Sequence, residues 1–140
     1  MKNLYSGLLI LGLVLASSQS RSVNCSQRKR APVPKDFAYP ESPSTTKFET
    51  PVSARALSGT VADSSGSRIV RALVEIVSED RGIRLDATLT DDHGSFSFGK
   101  AVAGKYYLKV SVPGFDTLLA TVIVDKKSRG RLRLFLKAST

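Results

Sequence analysis

From Arg55 to Thr140 the apolar residues of this chain recur at every second position, in short runs broken by Gly, Pro, Asp and Ser. Side chains alternate between the two faces of a strand, so a period of two marks strands with one face in a core and the other in water. After the first 18 residues no stretch keeps a helical period. The constraint is tightest from Asp86 to Phe115, which reads as strand, tight turn, short strand, loop, long strand and a Pro-Gly corner. A chain of this kind buries its apolar rows by packing one sheet on another.

Seven runs can be placed. Leu57, Gly59 and Val61 alternate with Ala56, Ser58 and Thr60, and Asp63-Ser64-Ser65-Gly66 forms a turn of locally bonding polar side chains. Within Ile69 to Glu79, Ala72, Val74 and Ile76 face one way, and Arg71, Leu73, Glu75 and Val77 the other. Glu79-Asp80-Arg81-Gly82 turns again, and Arg84, Asp86 and Thr88 then alternate with Leu85, Ala87 and Leu89 as a half-wet strand. At Thr90-Asp91-Asp92-His93-Gly94 the carboxylates can accept backbone amide bonds, and Gly94 can take the left-handed conformation that closes a hairpin. Phe96 and Phe98 point to one side. The later apolar rows are Tyr106, Leu108, Val110 and Val112; Leu118, Ala120, Val122 and Val124; and Leu132, Leu134 and Leu136. The spacing predicts seven short strands in an all-β sandwich or barrel over residues 55–140. A domain of that size buries a little over ~60% of its unfolded surface, enough to fold without disulfides.

Residues 1–18 follow the order of a secretory signal peptide. Lys2 precedes an apolar run from Leu8 to Ala16, shorter than the roughly 20 residues of a membrane span, and the small residues Ala16, Ser17 and Ser18 follow. Cleavage is expected after Ser18 or after Ala16. The chain is thus expected to be exported, either secreted or held in the periplasm or cell envelope, with no transmembrane span in the mature chain. Residues 19–54 carry Pro32, Pro34, Pro40, Pro43 and Pro51 among serines and threonines. Proline removes a backbone donor and blocks helix interiors and central strands, so this segment reads as a basic, largely disordered tether. Its cluster Arg28-Lys29-Arg30 reads as a solvated charge run or an anion contact. Phe37, Tyr39 and Phe48 are unusual in a pure linker and suggest that part of it lies on the domain surface. Cys25 is the only cysteine, so there is no intramolecular disulfide. Preceded by Ser22-Val23-Asn24, it does not fit a lipidation signal, which leaves an intermolecular disulfide or a free thiol.

Several of these runs together resemble the carboxypeptidase regulatory-like domain, a small transthyretin-like (prealbumin-like) β-sandwich. The carriers are Ser58-Gly59-Thr60-Val61 with Asp63 and Gly66, and Ala72-Leu73-Val74-Glu75-Ile76. Thr90-Asp91-Asp92-His93-Gly94-Ser95-Phe96-Ser97-Phe98, Ala103-Gly104-Lys105-Tyr106-Tyr107-Leu108-Lys109-Val110 and Gly114-Phe115 complete the set. The likeness spans about residues 57 to 137 and is specific as a set. One departure is that Ile69-Val70-Arg71 stands where many relatives carry a proline, which leaves the local turn open. The resemblance implies a seven-strand antiparallel prealbumin-like β-sandwich and a non-catalytic accessory that supports folding, binds partners or acts as a spacer. Carbohydrate binding is implied only by analogy with related sandwiches. The transthyretin relative that hydrolyses a urate derivative ends in Tyr-Arg-Gly-Ser, whereas this chain ends Lys137-Ala138-Ser139-Thr140, which argues against that activity.

The residues themselves point away from catalysis. His93 and Cys25 are the only His and Cys, and they lie in different regions. No cofactor is expected, and no spacing suits a zinc site. Asp91 and Asp92 with Asp86 or Asp63 could surround calcium, but turn chemistry accounts for them. The chain has 21 Lys and Arg against 12 Asp and Glu, a net charge of +9, which favours acidic partners. Export argues against nucleic acid. The charge concentrates near the last strand, in Lys126, Lys127, Arg129, Arg131, Arg133 and Lys137. There it forms an anion-binding ridge or protects an edge strand from aggregation. The candidate anion or ligand surface is Arg129, Arg131, Arg133, Phe135 and Lys137, with Tyr107 as a second aromatic for a sugar ring. Leu73, Leu119 and Ile123 could share an outward apolar surface with these aromatics, or that surface could receive Phe37, Tyr39 or Phe48. The expected function is an exported, non-enzymatic module that mediates protein or cell-envelope interaction, with carbohydrate binding as the alternative. Its partner would be a protein, a glycan or an anionic envelope surface.

Overall fold

The computed structural model describes residues 32–140, and among them every regular element is a strand. The expected signal peptide, Cys25 and the cluster at 28–30 lie outside the described residues. The strands are β1 (Thr45–Lys47), β2 (Val52–Ala54), β3 (Ser58–Asp63), β4 (Leu73–Val77), β5 (Arg84–Leu89), β6 (Ser95–Ser97), β7 (Gly104–Ser111), β8 (Thr117–Val124) and β9 (Leu132–Leu136). One sheet has the order β1-β8-β7-β4-β5, with β2 also on β8; the other has the order β6-β3-β9.

The architecture is all-β and two-layered, but two expectations are corrected. There are nine strands among the described residues rather than seven, because β1 and β2 form inside the segment read as a tether. The pairing is not wholly antiparallel either: β1 and β2 run parallel to β8, and β3 runs parallel to β9. Only strands joined by a short turn are forced to be antiparallel. β3 and β9 are separated by most of the domain, and β1 and β2 reach β8 from across the molecule, so no hairpin sets their direction.

The inner faces carry the expected rows. Val61, Val74, Ile76, Leu108, Val110, Leu118, Val122, Leu132, Leu134 and Leu136 form one buried cluster with Phe96 and Phe98, whose rings meet edge to face at 6.2 Å. Two glycines are required by this packing. A Cβ on Gly59 would stand 2.1 Å from the Leu132 carbonyl oxygen, so only glycine lets β3 approach β9. Gly94 has φ 66° in the turn after β5, which does not close a hairpin as expected but carries the chain from β5 in one sheet to β6 in the other, and a Cβ there would stand 2.8 Å from the Val61 carbonyl oxygen. Asp91 Oδ1 accepts from the His93 and Ser95 amides, as the turn chemistry implied.

The outer face of the larger sheet departs from the simple alternation. Leu73 is 0% exposed and Glu75 6%, although both were expected on a wet face. Residues 32–44 cross this face as a strap. At the β5 edge, Arg84 Nη1 donates to the Lys35 carbonyl at 3.0 Å and Nη2 to the Phe37 carbonyl at 2.7 Å. Arg84 Nε meets Glu75 Oε1 at 2.5 Å. The Tyr39 hydroxyl donates to the Arg71 carbonyl at 2.8 Å, and its ring stands edge to face on Phe37 at 5.1 Å. Between strap and sheet a cavity of about 70 Å³ is lined by Tyr39, Glu41, Glu75, Lys109, Ser111 and Thr117. The strap then reaches β8, where the Thr117 amide donates to the Ser44 carbonyl at 3.1 Å, and continues as β1. Two extra residues separate β1 from β2 along β8, and there Phe48 turns in against the core.

A second tie sits at the far end of the strap. Asp116, 7% exposed, accepts hydrogen bonds from the hydroxyls of Ser44 and Ser139, so one carboxylate joins strap, β8 and the C-terminal tail. These hydroxyls, chiefly that of Ser44, hold its carboxyl below the usual value of 3.8 despite burial, with help from the Lys137 charge. Two further local departures have clear causes. Arg71, in the local turn that the sequence left open, adopts φ 59°, a left-handed conformation that disfavours a Cβ. In β5 the register shifts so that Ile76 pairs with Asp86 and Val77 with Arg84. This bulge leaves Leu85 unpaired and 67% exposed rather than in the apolar row.

Candidate functional site

The candidate surface divides between the two sheets. In β9, Leu132, Leu134 and Leu136 are buried, while Arg133 and Phe135, with Arg131 and Lys137 just before and after the strand, are exposed. The strand is an edge of the three-stranded sheet, as its charge pattern suggested. Tyr107 does not join them. It lies on β7, in the other sheet, on the face opposite Tyr106, Leu108 and Val110. The outer faces of two stacked sheets look in opposite directions, so Tyr107 and Phe135 cannot stack on one ligand. Leu73, Leu119 and Ile123 are on the same face as Tyr107, not with Phe135.

Tyr107 is also poorly available to a sugar. It is half-buried, and Lys105 Nζ stands 5.0 Å from its ring centroid and 3.5 Å from Glu79 Oε1. Its hydroxyl is buried without a hydrogen bond of ordinary geometry, yet it lies near enough to act on both charged neighbours. The hydroxyl first, and the Lys105 charge after it, hold the Glu79 carboxyl below its usual value; the hydroxyl and the Glu79 charge raise the Lys105 ammonium.

Arg129 is exposed in the β8–β9 loop, where the neighbouring Gly130 carbonyl accepts from the Arg55 amide; it flanks the row rather than belonging to it. Periodicity missed Arg68. It forms an antiparallel bridge with Ala62, and Ala62 is the partner of Phe135, so Arg68, Ala62 and Phe135 make one transverse row. Phe135 remains 50% exposed, whereas Ala62 between its two neighbours is buried. The remaining outward positions of this sheet are hydroxyls. Ser95 pairs with Thr60, which pairs with Arg133; Ser97 pairs with Ser58, next to the end of β9 that Arg131 precedes. Among the described residues, no ion pair engages Arg68, Arg131, Arg133 or Lys137. The face therefore presents cations, one aromatic and a floor of small hydroxyls, with no carboxylate in its rows.

The acidic loops are occupied by structure. Asp63 Oδ1 accepts from the Ser65 amide and hydroxyl and the Ser67 amide, and the Ser65 hydroxyl above all holds its carboxyl below the usual value. Among the described residues no group of three His, Cys, Asp or Glu side chains is placed to hold a metal ion. His93 is exposed in the turn between β5 and β6.

Fold and surface define a small two-sheet β-sandwich wrapped by its own N-terminal strap, with one charged outer face. A family model described as the carboxypeptidase regulatory-like domain matches residues 56–137, and the chain belongs to that family. Its domains are β-sandwich modules that are generally non-catalytic. Among curated proteins no relative matches.

Proposed function

We propose that this protein is an exported, non-enzymatic accessory module that attaches to an anionic component of the cell envelope through the outer face of β9. The observation that carries this reading is the alignment of Arg131, Arg133 and Lys137 on one exposed face, joined by Arg68, with no ion pair to any of the four among the described residues. A sheet holds such charges at fixed spacing, so their attraction for a polyanion acts together, whereas scattered surface charges are each screened within about 8–10 Å. The signal-like N-terminus supports the location, and the family supports a role other than catalysis. The other outer face is closed by the strap over much of its area and offers no comparable surface.

The test is retention of the protein on a polyanionic matrix under a salt gradient. The Arg131→Gln/Arg133→Gln double variant, which keeps strand-compatible side chains, should elute at clearly lower salt than the parent. Arg81→Gln, on the turn before β5, should not change elution. Equal elution of the double variant and the parent would refute the assignment of this face.

A further inference from the structure

We infer that the outer face of the three-stranded sheet is a binding site for an acidic polysaccharide. This rests on the reading of that face as the working surface and names its ligand. Strand registry organises the face as a grid. One row runs Ser95, Thr60, Arg133; beside it Ser97 pairs with Ser58, and Arg131 lies one residue before β9, whose first residue pairs with Gly59. The first row reads hydroxyl, hydroxyl, guanidinium, and the second brings two hydroxyls to the end of β9 that Arg131 precedes. Neighbouring strands lie about 4.8 Å apart, and successive outward positions along a strand about 6.7 Å apart, so the grid repeats on the scale of a monosaccharide. Among the described residues, the hydroxyls of Ser58, Thr60 and Ser95 donate no hydrogen bond within the protein, and that of Ser97 only accepts one from the Gly99 amide.

A chain of uronic acid residues fits this chemistry. Its carboxylates match planar guanidinium groups, which bind them through two parallel hydrogen bonds. Its hydroxyls match the Ser and Thr floor, and Phe135, half-exposed in the next row, offers a flat face to a ring. A bilayer fits less well. Interfacial binding needs several apolar side chains projecting together, and Phe135 is the only large exposed apolar residue among the outward positions of these three strands. A bare polyanion such as polyphosphate would use the arginines but leave the hydroxyl rows without partners.

The experiment uses protein produced from the full chain and three probes: a galacturonic acid oligomer, polyphosphate of equal charge, and vesicles containing phosphatidylglycerol. The oligomer should bind more tightly than polyphosphate. Thr60→Val and Ser95→Ala should each weaken oligomer binding about 3- to 10-fold, the scale of one hydrogen bond, and leave polyphosphate binding unchanged. Arg133→Lys, which keeps the charge but loses the fork, should also weaken oligomer binding. These substitutions lie on the outer face, and unchanged melting temperatures would verify folding. Equal binding of oligomer and polyphosphate, indifference to the hydroxyl variants, or preference for vesicles would overturn the polysaccharide assignment while leaving an anion-binding face. Binding of none of the three would overturn both.

Discussion

Replacing Arg84 by Met tests whether the strap is fastened as the contacts imply. Among the described residues, Arg84 is the one side chain that joins β5, β4 and the strap at once: its Nε faces Glu75, and its two Nη atoms face strap carbonyls. The Glu75 side chain is 8% exposed and that of Arg84 21%, so the pair is largely out of water. Removing one member of a buried pair leaves an uncompensated charge and costs about 3–5 kcal/mol. Hydrogen bonds that involve a charged group contribute about 1.5–3 kcal/mol each, though not additively, so the lost strap contacts belong within that range rather than on top of it. Glu75→Leu should cost less, about 1–2 kcal/mol, because Arg84 keeps its carbonyl acceptors and reaches water. The double variant Glu75→Leu/Arg84→Met should fall well short of the sum, because an apolar pair of similar size often replaces a buried ion pair at little loss. Urea unfolding at neutral pH measures all three, and amide exchange at Phe37 reports the strap separately. The reasoning fails if Arg84→Met loses under about 1 kcal/mol, or if the double variant equals the sum of the singles.

Two other outcomes follow from the same contacts. A protein cut back to 55–140 loses the strap, β1, β2 and Phe48, uncovers Leu73 and leaves the β8 edge unpaired; it should melt well below 19–140, and identical melting points would refute a structural role for the strap. The Asp116 carboxyl is lowered in the native state, so its contribution is present above its unfolded value, near 3.8, and is lost as pH falls through the lowered native value. Asp116→Asn should therefore shrink the drop in urea midpoint between pH 7 and pH 3, and an unchanged drop would remove Asp116 from the acid sensitivity.

The sandwich was legible because its seven family strands carry their own evidence. Leu132, Leu134 and Leu136, or Leu118, Ala120, Val122 and Val124, alternate whether or not any neighbour is known. The missing information is of another kind. Alternation divides each strand into two faces but does not say which sheet the strand joins, so Tyr107 and Phe135 looked compatible until β7 and β9 fell in different layers. It also treats a polar position as wet. Glu75 violates this because the Arg84 guanidinium, itself held by the strap carbonyls, replaces its water, and Arg84 and those carbonyls lie 9 and about 40 residues away in sequence. β1 and β2 were hidden for a related reason. Three-residue strands flanked by Pro43 and Pro51 lack the length for a periodic signal, and they are strands only because the edge of β8 supplies their bonds. The aromatics Phe37, Tyr39 and Phe48 were the one local sign that the segment had somewhere to pack. The hydroxyl rows make the same point on the working face: Ser58, Thr60, Ser95 and Ser97 are ordinary strand residues one at a time. They become a surface only through the two registries that set β6 and β9 on either side of β3. A binding face built from register is therefore invisible to motif reading, and a substitution that shifted β9 by one residue would turn Arg133 inward and abolish the face without altering any of its residues.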